Sequence, residues 1–317
     1  MFSYFPLRFL LRNGLMWKTP GKALILSRYR KPWTIIGSLM HNLVHYRGVL
    51  IGLLLGLVAV ILPVAAAAET PVLTGVIERD ALRVGMSADQ PPFTFRSRVG
   101  SVVGFDVELA QAMAIAMNLE LKIVEIPFGE LLIALDQGRV DMVMSGVAIT
   151  PQRASKVTFI GPYTLSAKSL LTTARVKQAE ISTSEFNHPE VRVVALENST
   201  SALFVERNLP EASLYAIKYY KEGIQELLSG KIDAMVADIP ILKLAMLRNP
   251  EAGLGIIEPP IAVEPIGIAI PGNDAQFANL VRNFLTAFEK TGLTSALRKR
   301  WLENDDWIAA VADPTDD

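Results

Sequence analysis

Two stretches of this chain can be laid over one another in their chemistry. Residues 130–146, ELLIALDQGRVDMVMSG, and residues 223–238, GIQELLSGKIDAMVAD, each run from an amphipathic helix through a glycine, a basic residue and an aliphatic residue to an aspartate and a buried strand. Gly138-Arg139-Val140-Asp141 thus matches Gly230-Lys231-Ile232-Asp233. Shared ancestry and the general likeness of helix-strand units both account for such a match. Its geometric consequence is the same either way: the glycine ends a helix, the next strand is covered on both faces, and two such units demand mostly parallel sheet with crossover helices.

The flanking sequence extends each unit. Residues 82–88, LRVGMSA, read as a strand that ends in Gln90-Pro91-Pro92, where the prolines preclude a ladder. Phe105, Leu109, Ala112, Met113 and Ala116 recur at helical spacing over 105–117. Residues 119–126 alternate as a strand, a helix near 129–137 stops at Gly138, and 140–146 form a buried strand. The second set predicts strands at 191–197, 213–219 and 232–238 with helices at 201–208 and 222–228. Further on, Phe277, Leu280, Phe284, Phe288 and Leu293 form the apolar stripe of C-terminal helices, and residues after Trp307 read as an acidic, frayed tail.

The beginning of the chain is of another kind. Residues 1–68 contain no acid but carry Arg8, Arg12, Lys18, Lys22, Arg28, Arg30, Lys31 and Arg47, then the apolar run 49–64 and Ala65-Ala-Ala-Ala68. This order describes a signal peptide cleaved after Ala68, with a start at Met40 giving an ordinary length; an uncleaved anchor over 49–68 is the alternative. Of 31 Lys and Arg, eight leave with the leader, so 23 face 32 acids and the remainder carries a formal −9. That balance argues against nucleic acid as a partner. With no cysteine and His188 alone beyond the leader, neither thiolate nor triad chemistry nor a metal cluster is expected.

Open parallel sheets bind beyond the carboxyl ends of their strands. The first unit runs out at Ser145-Gly146 and then reaches Thr150-Pro151-Gln152-Arg153; the second runs out at Ala237-Asp238. Thr150 can cap a short helix with Pro151 at its first position, leaving Arg153 in a first turn where a cation is unfavourable unless an anion joins it. A guanidinium offers a fork to a carboxylate and an aspartate accepts from an ammonium, so the pair suits a zwitterion. The competing readings are a surface Arg153 paired with Asp141 or another acid and an Asp238 that is an ordinary strand-end or cap residue.

The stretches LRVGMSADQPPFTF, GFDVELAQAMA, ITPQRASKVTFIGPY, GKIDAMVADIP and IGIAIP resemble the family-3 bacterial extracellular solute-binding proteins, the amino-acid-binding components of ABC importers, over about residues 77–303. The resemblance implies an α/β, two-lobed type II periplasmic binding fold, each lobe a mostly parallel sheet flanked by helices. Lobe 1 would comprise 77–168 plus 267–303 and lobe 2 173–262, with hinge strands at 169–173 and 264–270 and a tail over 304–317. It places Arg153 on the ligand α-carboxylate, Asp238 on the α-ammonium and Phe128 against the side chain. The Gly146 carbonyl and the amides of Ala148 and of Thr200 or Ser201 complete the set.

Departures from the pattern bear on specificity. Gln90 stands where the family commonly has an aromatic residue, Ala148 replaces a hydroxyl residue, and Ser87 stands where binders of basic ligands often carry an acid, with Glu197 either a solvent-facing residue or a partial substitute. A polar amino acid is therefore expected. The implied protein is a monomeric, exported, cofactor-free binding protein that closes on its ligand and is read by a membrane permease. A dehydratase acting on a prephenate-like acid through Glu197 or Glu130, and a membrane-tethered sensor, are the alternatives.

Overall fold

The computed structural model describes residues 71–173 and 183–312. The leader, its cleavage site, Met40 and the final five residues of the tail lie outside the described residues. Helix α1 (Pro71–Glu78) leads into β1 (Ala81–Met86), and a small sheet of β2 (Asp89–Gln90), β3 (Thr94–Arg96) and β4 (Val102–Val103) precedes α2 (Phe105–Ala116). Then come β5 (Glu120–Glu125), α3 (Leu131–Asp136), β6 (Met142–Val143), the one-turn α4 (Pro151–Ala154) and the long β7 (Thr158–Thr173). Next are β8 (Arg192–Leu196), α5 (Thr200–Asn208), β9 (Ser213–Ile217), α6 (Tyr220–Leu228), β10 (Ala234–Asp238), α7 (Ile239–Arg248) and β11 (Leu254–Ile256). The chain then returns along β12 (Ala262–Ile270) and ends in α8 (Ala275–Lys290) and α9 (Leu293–Trp301).

The main sheet has the path β5-β1-β6-β12-β7-β10-β8-β9, with β11 on β7. β5, β1 and β6 pair in parallel, as do β10, β8 and β9, while the antiparallel ribbon of β7 and β12 stands between the two sets. Two lobes result, each with its own core: Val84, Phe105, Met113 and Phe277 belong to one, Val194, Leu227, Met235 and Leu242 to the other. Burying such side chains contributes roughly 1.5 to 3 kcal/mol apiece.

Of the two expected hinge strands, 264–270 falls within β12 of the ribbon, whereas 169–173 lies past its exposed stretch. Residues 168–172 already pair with β10 from Asp238 back to Ala234, so they belong to the second lobe's sheet. Thr164 to Ala167 pair with Ile266 back to Val263, and Leu165 and Val263 are exposed there. The register shifts between Ile266 and Ile268, at Gly267, where a Cβ would approach Ile149 Cδ1 to 2.7 Å.

Three other differences have identifiable causes. The expected strand at 140–146 shortens to β6 because Gly146, at φ 63, turns the chain away. Helix α1 was not foreseen; Asp274 binds its Val72 and Leu73 amides through Oδ2 and the Phe277 amide of α8 through Oδ1, so one carboxylate caps two helices. The described part of the tail is packed rather than frayed. Trp307 is buried against Phe95, Val311 bridges Ser97, and Arg248 Nη2 donates to the carbonyls of Val311 and Ala312 at 3.2 and 2.6 Å.

Candidate functional site

Both parallel sets deliver their carboxyl ends to one crevice. At the first, Gly146 donates its amide to Asp106 Oδ2 at 2.7 Å, and Tyr163 donates to Oδ1 at 2.6 Å. Burial raises Asp106 to about 7, against the lowering effect of those bonds. A Cβ on Gly146 would lie 2.8 Å from Phe93 Cδ2, so only glycine fits. Val147 O and Ile149 N bond to β12, leaving the N–H and C=O of Ala148 facing the other way, toward Arg153.

Arg153 is placed as its sequence predicts. Thr150 caps α4 by accepting from the Arg153 amide at 3.2 Å, with Pro151 at the first position. The guanidinium donates to Ala148 O at 2.9 Å and Asn198 O at 3.1 Å and stands 5.8 Å from the Phe128 ring centre. Burial lowers its proton affinity, while Glu264 and Asp238 oppose that. Asp141 is not its partner: that carboxylate is held by Arg79 and Arg83 at the opposite end of the strands.

Asp238 ends β10 and heads α7, yet its side chain makes no capping bond. Register puts it beside Lys168, which in turn faces Ala262, so that Asp238, Lys168 and Glu264 share one face of the sheet. Lys168, with its side chain 2% exposed, pairs with Glu264 at 2.7 Å; the Thr200 hydroxyl accepts from Lys168 and donates to Glu264 at 2.7 Å. Burial raises Asp238, countered by the Lys168 ammonium and reinforced by Glu264.

One small cavity collects these groups: Gln90, Phe128, Gly146, Ala148, Arg153, Thr200, Ser201 and Asp238, all expected from the sequence, line it together. Its volume is about 20 Å³. On the far side of Phe128 and Arg153 a larger cleft of about 750 Å³ opens between the lobes, without Asp238. Ser87 and Glu197 are not brought in. The Ser87 hydroxyl meets Ser145 at 2.9 Å, and Ser145 meets Thr94, in a closed hydroxyl network. Glu197 packs against Gly129, where a Cβ would come within 2.7 Å of its Cγ. Glu130 lies outside the cavity and faces Lys218 at 3.7 Å.

Lys168, Glu264, Tyr220 and Ser199 also line the cavity and were missed. A lysine inside the apolar run of β7 and a glutamate inside that of β12 were the available signals. Nothing local ties Tyr220 to the site. Its hydroxyl accepts from Gln90 Nε2 at 3.4 Å, and its amide donates across the lobes to Asp89 Oδ2 at 2.9 Å. Among the described residues no His, Cys, Asp and Glu cluster could hold a metal ion, and no helix is long and apolar enough to cross a membrane.

Comparison with known proteins bears on the family and the fold. The cyclohexadienyl dehydratase of Pseudomonas aeruginosa is 26% identical over 231 residues, covering 73% of this chain and 86% of its own. The arginine-binding protein 1 of an Escherichia coli ABC transporter is 25% identical over 231 residues, covering 72% and 93%. A solved ancestral amino acid-binding protein, described as a precursor of cyclohexadienyl dehydratase, superposes with a TM-score of 0.65 at 32% identity, covering 72% of this chain and 98% of that one. The model of the bacterial extracellular solute-binding proteins, family 3, matches residues 82–304, and the chain belongs to that family.

Proposed function

We propose that the protein is the amino-acid-binding component of an ABC importer and acts outside the cytoplasm. Arg153 would hold the α-carboxylate and Asp238 the α-ammonium. The observation that carries this is the meeting of a half-buried guanidinium from the first lobe and an uncapped carboxylate from the second at a single cavity. Supporting donors are in place. Ser199 caps α5 through the Ala202 amide, which leaves the amides of Thr200 and Ser201 in the first turn available to an anion. The Ala148 N–H points the same way, and Phe128 packs against both lobes' apolar clusters.

A cavity of about 20 Å³ holds about one water. An amino acid enters only when the lobes part along the ribbon and is then enclosed as they return. Asp89 with Tyr220, Gln90 with the Tyr220 hydroxyl, Glu130 with Lys218, Asn198 Nδ2 with Gly129 O at 3.2 Å and Arg153 with Asn198 O are among the contacts that separation must break. A ligand shifts that equilibrium only by its preference for the closed form, which a permease would recognise.

Calorimetric titration of amino acids into wild type and Arg153→Ala tests the assignment. Loss of a charge-assisted fork is expected to weaken binding by about 100-fold or more. Equal affinity for an amino acid and its carboxyl amide would reject the role of Arg153.

The dehydratase relative supports a second reading, catalysis on the same scaffold. We favour binding because Glu197 and Glu130 stand outside the cavity, and of the two acids inside it Glu264 is already bound to Lys168 and Thr200 while Asp238 is assigned to the ligand ammonium. Release of product from a prephenate-like acid by the purified protein would reverse that preference.

A further inference from the structure

We infer that the Lys168–Glu264 ion pair restricts the cavity to amino acids with uncharged side chains, and that this pair, rather than Arg153 and Asp238, discriminates between ligand classes. The inference rests on the amino-acid reading above.

Four charged side chains line the cavity: Arg153 and Lys168, Asp238 and Glu264. Their formal charges cancel. The two ends of an amino acid's backbone occupy Arg153 and Asp238, which leaves Lys168 and Glu264 to face whatever the ligand adds. These two are already satisfied, by one another at 2.7 Å and by the Thr200 hydroxyl between them. A cationic side chain would have to draw Glu264 away and leave a buried ammonium unpaired; an anionic one would have to draw Lys168 away and leave a carboxylate unpaired. Either outcome is costly, because a buried charge stripped of its partner is penalised far more than an exposed one.

The remaining groups suit a neutral polar side chain. Gln90 and Tyr220 meet at 3.4 Å, a long contact that a ligand amide or hydroxyl can replace with shorter ones. No spare carboxylate is at hand. Ser87 carries none and is committed to Ser145, while Asp89 is outside the cavity lining and receives the Tyr220 amide. A buried ion pair is seldom retained for stability alone, since apolar replacements are often as stable. Its position at the join of both ribbon strands with the first turn of α5 gives it a reason to persist: it fixes the charge that the ligand meets.

The test is isothermal titration of the full chain with glutamine and serine, arginine and lysine, and glutamate and aspartate. The proteins are wild type, Lys168→Met, Glu264→Gln and the double variant. Wild type is expected to bind a neutral amino acid at least about 30-fold more tightly than any charged one, on the scale of an unpaired buried charge. Lys168→Met, which frees Glu264, should shift preference toward arginine and lysine by a similar factor. Glu264→Gln, which frees Lys168, should shift it toward glutamate and aspartate. The double variant, whose cavity is again balanced, should keep the neutral preference, and it remains informative if a single variant fails to fold. Wild type that binds arginine or glutamate as tightly as any neutral amino acid, or a double variant that prefers a charged one, overturns the charge rule while leaving amino-acid binding intact. Absence of binding by every amino acid overturns the functional reading and this inference with it.

Discussion

The two lobes turn from helix to strand with the same hydrogen bonds. In the first, Asp141 accepts from the Arg83 amide at 2.8 Å and from its guanidinium, while Arg83 Nη2 also reaches Gly138 O at 3.0 Å. In the second, Asp233 accepts from the Arg192 amide at 2.8 Å and from its guanidinium, and Arg192 Nη2 reaches Gly230 O at 3.0 Å. Even the return bonds agree: the Asp141 amide donates to Arg83 O and the Asp233 amide to Arg192 O, each at 2.9 Å. Equivalence stops at the other end of the strands. There the first lobe continues through Gly146 to a cation and the second stops on an anion. One corner design has therefore been kept at the structural end while the functional ends carry opposite charges.

Protonation most strongly separates the buried carboxyls, Asp238 of the second lobe among those that burial raises, from the exposed corner. Asp89 and Asp106, both carried by the first lobe, are raised by burial from 3.8 to about 7, whereas Arg192 holds Asp233 of the second below its usual value. A raised carboxyl keeps its proton in the folded state while the unfolded chain has lost it, so stability falls as pH rises from about 4 to about 7 and levels off above. At about 1.4 kcal/mol per unit, each such group can move stability by a few kcal/mol. Asp233 has the opposite sign: its contribution is present above the unfolded value and is lost as pH falls through the folded one, and its exposure limits it to about 1 kcal/mol or less. Denaturant unfolding of wild type and Asp106→Asn at pH 4.5, 6 and 8 should show the amide flattening the fall. An unchanged slope would place the buried proton elsewhere.

The conserved corner should also be unequally sensitive. Asp141, its side chain 4% exposed, holds two arginines; Asp233, 35% exposed, holds one. Asp141→Ala is expected to cost about 3 kcal/mol, in the range for breaking a buried pair, against about 1 kcal/mol or less for Asp233→Ala. Equal losses in the midpoint of urea unfolding would show that the second arginine adds nothing.

What could be read before the structure follows from range. Most helices and strands, the Thr150-Pro151 cap and the matching Gly-basic-aliphatic-Asp motifs are set by residues within a few turns of one another, and these were legible. So were eight of the cavity's residues, because family motifs and strand ends mark them. Lys168 and Glu264 were not, being 96 positions apart on strands whose charges look solvent-facing until β7 and β12 are paired. Ser87 and Glu197 failed for the converse reason. Their motif position places them at the site, but a hydroxyl network and a close approach to Gly129 turn them to other neighbours. The packing of 304–312 depends on Phe95 and Arg248, remote partners that composition cannot reveal.

The smallest test asks whether the two corners are equivalent in energy as well as form. Gly138 and Gly230 sit at φ 67 and 76, and nothing lies within 4 Å of a Cβ added to either. Each ends its helix by the same bond across five residues, Arg139 N to Ala134 O at 2.9 Å and Lys231 N to Glu226 O at 3.0 Å. With space equal, an alanine feels only the left-handed backbone, about 1 kcal/mol in both lobes. Gly138→Ala and Gly230→Ala should thus lower stability alike, within a few tenths of a kcal/mol, in paired thermal unfolding. A markedly larger loss at Gly138 would mean that the first lobe's corner, with its second arginine and deeper carboxylate, resists the backbone adjustment that the exposed corner of the second allows.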